Sequence, residues 1–274
     1  MAVPPCVGRT FTTVLYNDPR TAPLQIEKVA DYARAALPLP FAVVELRGEF
    51  LSHAVKTWNA DPKTIARQLA CSRLLDPVNC DPIGDPLPGE LAYEERMLLD
   101  HSRSPTGVAY EGYLVQEILR SLIPRSERRR TVLHIVLTTR LLITREPGEG
   151  RGHARTIILG DPTIISIAGI VEAPALKPET YLALQFFRSP DLQSLLFEGE
   201  RVRHGAIRYG DERLTEVVKG YVLQAVFYRL TGEPFCGDRT CRLYNAHTQE
   251  ELIESQIRSG RLCRRHESIL RGLY

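Results

Sequence analysis

Apolar and polar positions along the chain follow two periods, and the switches between them mark its elements. Residues 9–16 (RTFTTVLY) are rich in β-branched and aromatic types and stop at the turn Asn17-Asp18-Pro19, which predicts a strand. Pro23 opens LQIEKVADYARAAL, where Leu24, Ile26, Val29, Tyr32, Ala33 and Ala36 fall near one helical face. A second strand, FAVVELR, starts at Phe41, and Asp61-Pro62 forms the N-cap and first-turn pair of KTIARQLACSRLL. Strand, helix, strand, helix is the opening of an α/β sheet.

Residues 76–108 are dense in Pro, Gly and Asp and predict an irregular excursion from the core, with one short helix near Glu90–Leu99. A helix is expected over Tyr113–Ile123. Strands are expected over Thr131–Thr144 and Arg155–Gly160, separated by the Gly-rich turn EPGEGRGHA, as a β-hairpin or an extended edge pair. A further apolar segment, TIISIAGIV, follows, then a helix TYLALQFF and a short one capped by Ser189-Pro190-Asp191. Leu214–Leu230 carries a continuous helical stripe that ends at Gly232, and Thr248-Gln249-Glu250-Glu251 is a capping box for EELIESQI. The expected architecture is a single α/β (α+β) domain over 1–274, with a mixed twisted sheet and packed helices. Its parts are a β-α-β-α start (1–75), the excursion (76–108), sheet and core helix (109–235), and a C-terminal subregion (236–274).

Composition narrows the classes. Of 274 residues 43% are hydrophobic and 25% charged, ordinary for a globular chain. No apolar run approaches 18 residues, so no membrane span is expected, and MAVPPCVGRTF lacks the features of a signal peptide; a cytoplasmic location is expected. A net charge of +2 argues against nucleic acid as an obligatory partner, and the cluster from Arg125 to Arg130 is read as a solvated loop between a helix and a strand. Cysteines stand at 6, 71, 80, 236, 241 and 263. Cys71 has apolar neighbours on a predicted helix and is expected in the core. Cys80 has Cys6 or Cys71 as possible partners.

The remaining cysteines carry a pattern. Cys236-x4-Cys241 lies in a polar turn after the long helix, and Cys263-x2-His266 follows the next one. Three thiolates and one imidazole form a closed zinc set, and two-residue spacing lets one backbone turn offer both groups to one ion. Four protein ligands leave no position for water. The expectation is one structural zinc ion that contributes folding energy rather than catalysis.

The run from Gly232 through Cys236 to Cys241 resembles archaemetzincins, zinc peptidases related to the metzincins. Their motif is HExxHxxGxxHC, then x4-C, and later C-x-x-C. Registered on Gly232, Cys236 and Cys241, the chain has Ala225, Arg229 and Phe235 where the three zinc-binding histidines would stand. Val226 replaces the general-base glutamate, and His266 matches the last cysteine. HAR (153–155), GIVEAPA (169–175) and CRLYNAH (241–247) mark a resemblance to an archaeal, archaemetzincin-like group. The resemblance implies a metzincin-like core, a zinc-stapled C-terminal helical region and no zinc-peptidase activity from this helix, since Ala, Arg and Phe cannot replace imidazoles.

Two further functions follow as expectations. The favoured one is a non-hydrolytic protein that binds a peptide or protein partner, an extended peptide adding to the sheet's edge strand. The other is a hydrolase-like enzyme with a site rebuilt from His153, Glu172 and His247, because His and Glu are the usual acid–base pair and also ligate metals. An active peptidase with relocated ligands would need a second metal.

Overall fold

The computed structural model describes residues 11–37, 43–105, 107–175, 199 and 205–272; Cys6 and the helices expected at 180–187 and after Ser189 lie outside the described residues. β1 (Thr12–Tyr16), α1 (Ile26–Ala36), β2 (Val43–Arg47), α2 (Phe50–Trp58) and α3 (Pro62–Cys71) open the chain, with a 3-10 turn at Pro19–Thr21. The excursion holds β3 (Leu74–Asp76), β4 (Asp81–Pro82) and α4 (Pro88–Leu99). After β5 (Ala109–Glu111) and α5 (Gly112–Leu122) come β6 (Val132–Thr138), β7 (Leu141–Thr144), β8 (His153–Ala154), β9 (Ile157–Ile158), β10 (Thr163–Ser166) and α6 (Ile167–Glu172). The C-terminal part contains α7 (Leu214–Thr231), α8 (Gln249–Ile253), a π-helical turn (Glu254–Ser259) and α9 (Arg264–Arg271).

The fold is mixed α/β. Its main sheet has the order β2-β1-β6-β10-β9, in which the first four strands are mutually parallel and β9 closes the edge antiparallel to β10. Alternation along each strand feeds two cores. Leu15, Leu133, Ile135 and Leu137 face α1 and α7, whereas Val14, Tyr16 and Val136 face α2, α3 and α5. α7 is buried over nearly its whole length because it has a layer on each side. The sheet covers one side, and on the other the π turn comes so close that a Cβ on Gly220 would stand 1.8 Å from Gln256 Oε1. No described helix is long and apolar enough to cross a membrane.

The structure departs from the periodicity in four places. The strand expected over Thr131–Thr144 is two: β6 stays in the main sheet, and β7 joins a second sheet of order β5-β7-β8. The break falls at Thr139-Arg140, where Thr139 N–H donates to Asp18 Oδ2 at 3.2 Å and the Arg140 side chain turns inward. The Gly-rich turn does close a hairpin, but from β7 to β8; β9 pairs with β10. TIISIAGIV divides at Ser166, whose hydroxyl accepts from Gly169 N–H at 2.8 Å and so caps α6. α2 had no place in the sequence reading; Glu49 caps it by accepting from Ser52 N–H at 2.7 Å.

Candidate metal centre

α7 ends where Gly232 takes a left-handed backbone, φ 77°, and donates to Tyr228 O. The chain turns back, and Asp238 shapes the knuckle by accepting from Thr240 N–H and Oγ1–H while its own carbonyl accepts from Cys241 N–H. Cys236 N–H donates to Leu243 O, and Arg242 N–H to Arg261 O at 2.8 Å. That last bond brings the second pair of donors alongside the first. Cys263 then stands at the N-cap of α9, which puts His266 in its first turn.

The four donor atoms of Cys236, Cys241, Cys263 and His266 lie within 4.8 Å of one another. Cys236 Sγ is 3.9 Å from Cys263 Sγ, and His266 Nδ1 is 3.8 Å from Cys241 Sγ and 3.1 Å from Cys263 Sγ. A tetrahedron with Zn–S bonds of about 2.3 Å has edges of about 3.8 Å, so the spacing fits that ion. Cys241 and His266 are buried and the other two half-buried. Amide groups point at the sulfurs: Asp238 N–H at Cys236 and Cys263 N–H at Cys241, each 3.4 Å. The His266 ring meets Phe227 of α7 edge-on at 5.3 Å.

Burial dominates the titration. It pushes the Cys241 thiol up to about 12 and holds the His266 imidazole below its ordinary value, with Arg265 adding to the latter. For Cys263, burial raises the thiol, but the His266 amide, the two neighbouring thiols and the Arg265 amide together bring it below the ordinary range. A divalent ion displaces the thiol protons and satisfies all four donors at once.

The positions registered on the peptidase motif have other surroundings. Ala225 and Val226 are fully buried in the core. The Arg229 guanidinium donates to the carbonyls of Arg130 (3.1 Å), Arg129 (2.9 Å) and Val132 (3.2 Å) and lies 3.8 Å from Asp161. Phe235 is exposed.

His153 is half-buried in β8, opposite Thr144. Glu172 ends α6 and accepts from the Tyr209 hydroxyl. His247 is exposed; its amide donates to Glu251 Oε2, and its carbonyl accepts from Ala175 N–H. That bond sets the segment after Glu172 beside His247. Among the described residues, no hydrogen bond joins any two of the three. Cys71 and Cys80 are half-buried free thiols, Cys80 with its Sγ 3.7 Å from Ile143 O.

Sequence reasoning passed over a second buried polar group. At the carboxyl ends of β1 and β6, Arg20 pairs with Asp18 (2.6 Å) and approaches Glu49 (3.7 Å), and Arg140 pairs with Glu94 (3.3 Å). Tyr110 donates to Glu94 Oε1 and lies under the Arg140 guanidinium. The available signal was Arg140 itself, one charge between the apolar runs LHIVLTT and LLIT.

The chain belongs to a family described as a family of unknown function (DUF7001), which matches residues 14–269. Among curated proteins, none matches it. Among solved structures, the crystal structure of archaemetzincin (amzA) from Methanopyrus kandleri is similar, at 15% identity over 97% of each chain with a TM-score of 0.42. A likeness of that strength assigns neither fold nor activity.

Proposed function

We propose that this chain is a zinc-stapled α/β protein, a degenerate relative of the archaemetzincins that has no zinc-peptidase activity and acts by binding an extended peptide segment of a partner protein. The observation that carries the reading is the closed set of four donors, Cys236, Cys241, Cys263 and His266, within 4.8 Å. A zinc ion there supplies a crosslink and has no open position for water. It would tie the α7–α8 loop to α9 and hold the C-terminal layer against α7. The absence of hydrolysis is supported by Ala225 and Val226, which are core, and by Arg229, whose donors are engaged by backbone carbonyls.

Peptide binding is supported by β9. Ser166 N–H donates to Thr156 O, so the alternation of the ladder turns Ile157 N–H and C=O away from β10. A groove lined by Tyr113, Thr144, Glu146, Arg155 and Ile157 runs beside that edge. The other edge is a poorer acceptor, because Arg34 of α1 already donates to Val44 O of β2. Metal analysis of the purified chain is expected to return one zinc per molecule with no cleavage of a peptide library. A metal-free, fully folded protein would refute the staple, and zinc-dependent cleavage would refute the non-hydrolytic assignment. The second reading, an enzyme built on Glu172 and His247, draws on the Ala175–His247 hydrogen bond. It requires a turnover that Glu172→Gln abolishes.

A further inference from the structure

Between Arg120 and Arg130 the sequence places five arginines and a single carboxylate, Glu127. The overall charge of +2 conceals this concentration. In the structure Arg120, Arg125, Arg128, Arg129 and Arg130 are all exposed, and none of them has a carboxylate partner among the described residues. Glu127 does not neutralise them, because it is held by Arg47 at 2.6 Å.

The loop is also braced. Glu127 N–H and Arg128 N–H both donate to Pro124 O, and Val132 N–H donates to Arg129 O. From below, Arg229 of α7 donates to two of the loop's carbonyls, those of Arg129 and Arg130, and to Val132 O at the start of β6. The loop backbone is thus fixed from both sides while its guanidinium groups remain in solvent. Holding free cations on a fixed backbone lowers the ordering cost of binding an anion. Arginine, and no lysine, fills these positions, and its planar fork matches phosphate oxygens. The same turn of α7 that carries Arg229 carries Tyr228, a residue that is 40% exposed. An exposed aromatic one residue from the arginine that braces the loop offers a stacking face for an unpaired base.

We propose that the arginine loop 124–131 is a docking site for the phosphate backbone of a single-stranded nucleic acid, with Tyr228 stacking on one base. The site is separate from the β9 groove and from the metal ligands, and its test does not depend on either. The probe is a fluorescent twelve-nucleotide oligouridine, titrated with the full chain as purified and read by anisotropy. Four phosphate contacts give a slope of log K against log salt near −3, a weakening of about 50-fold between 50 and 200 mM salt. Arg125→Ser/Arg128→Ser/Arg130→Ser is expected to weaken binding at least about tenfold and to flatten the slope to about −1, at an unchanged melting temperature. The corresponding triple lysine variant retains the slope. Tyr228→Ala weakens binding about fivefold or more and leaves the slope as it was. Serine-variant binding equal to wild type overturns the proposal. So does equal displacement by polyglutamate at the same charge concentration, which reassigns the loop to acidic proteins. Tighter binding of a duplex of the same length overturns the single-strand assignment.

Discussion

Two buried polar clusters stand at different places in this fold and are completed in different ways. At the carboxyl ends of β1 and β6, Asp18, Arg20, Glu49, Glu94 and Arg140 bring both signs of charge, and each buried carboxylate has a guanidinium beside it. Past the end of α7, Cys236, Cys241, Cys263 and His266 bring only donors of lone pairs. The first cluster sits where the strand order reverses, the usual place for a ligand in an open α/β sheet, yet its own side chains fill that place. Clusters that bring both signs of charge hold a fold in one arrangement; clusters of one kind of donor need a partner from outside. Burial alone therefore does not mark a ligand site. The sum of what the buried groups can give and accept does.

The largest effect expected from breaking this contrast is on the donor cluster. Structural zinc in small domains is worth roughly 10–16 kcal/mol of apparent binding energy, which exceeds the whole stability of many domains. Chelation, or Cys263→Ser, is expected to lower the melting temperature by at least about 10 °C. Differential scanning calorimetry with and without chelator measures it, and added zinc should restore the chelated wild type. An unchanged transition would mean that the C-terminal layer stands without the ion.

The charge cluster should respond on a smaller scale and without reference to metal. Glu94→Ala leaves Arg140 buried against Tyr110 with its partner gone, a change that costs about 3–5 kcal/mol. Urea denaturation is expected to show that loss at full zinc content. If the variant also loses its zinc, the two clusters are coupled and the comparison fails.

Legibility followed the range over which each signal acts. The metal donors were readable because their geometry is local: two short spacings and a helix start fix four groups. The start of α7's C-cap at Gly232 and the capping box at Thr248 were readable for the same reason. The break at Thr139-Arg140 was not, since its cause is Asp18, 121 residues away in sequence. α2 escaped because its cap is a glutamate, Glu49, rather than a usual N-cap residue, and because it follows a strand with one intervening turn. The role of Arg229 was half readable: its type excludes a zinc ligand, but the three carbonyls it braces, those of Arg129, Arg130 and Val132, lie about a hundred residues upstream.

The smallest expected effect concerns a third buried group, which carries neither a countercharge nor a metal. His134 in β6 is buried between the Tyr16 hydroxyl at 3.1 Å and the Glu127 carbonyl at 3.3 Å. Burial holds its imidazole below the ordinary histidine value, although the Glu127 carbonyl opposes the shift. The unfolded chain, with a histidine near 6.5, therefore binds more protons than the folded one below neutrality. Stability is full above that value, falls as pH drops below it, and levels off beneath the folded value. Glu127, Asp161 and Arg47 are the charged groups that face the ring, and the two carboxylates limit the shift while Arg47 deepens it. His134→Gln should remove this slope between pH 7 and 5 in urea titrations while the rest of the pH dependence persists. An identical slope in the variant would place the proton uptake on another group, with His53 and His266 the next to examine because burial depresses both.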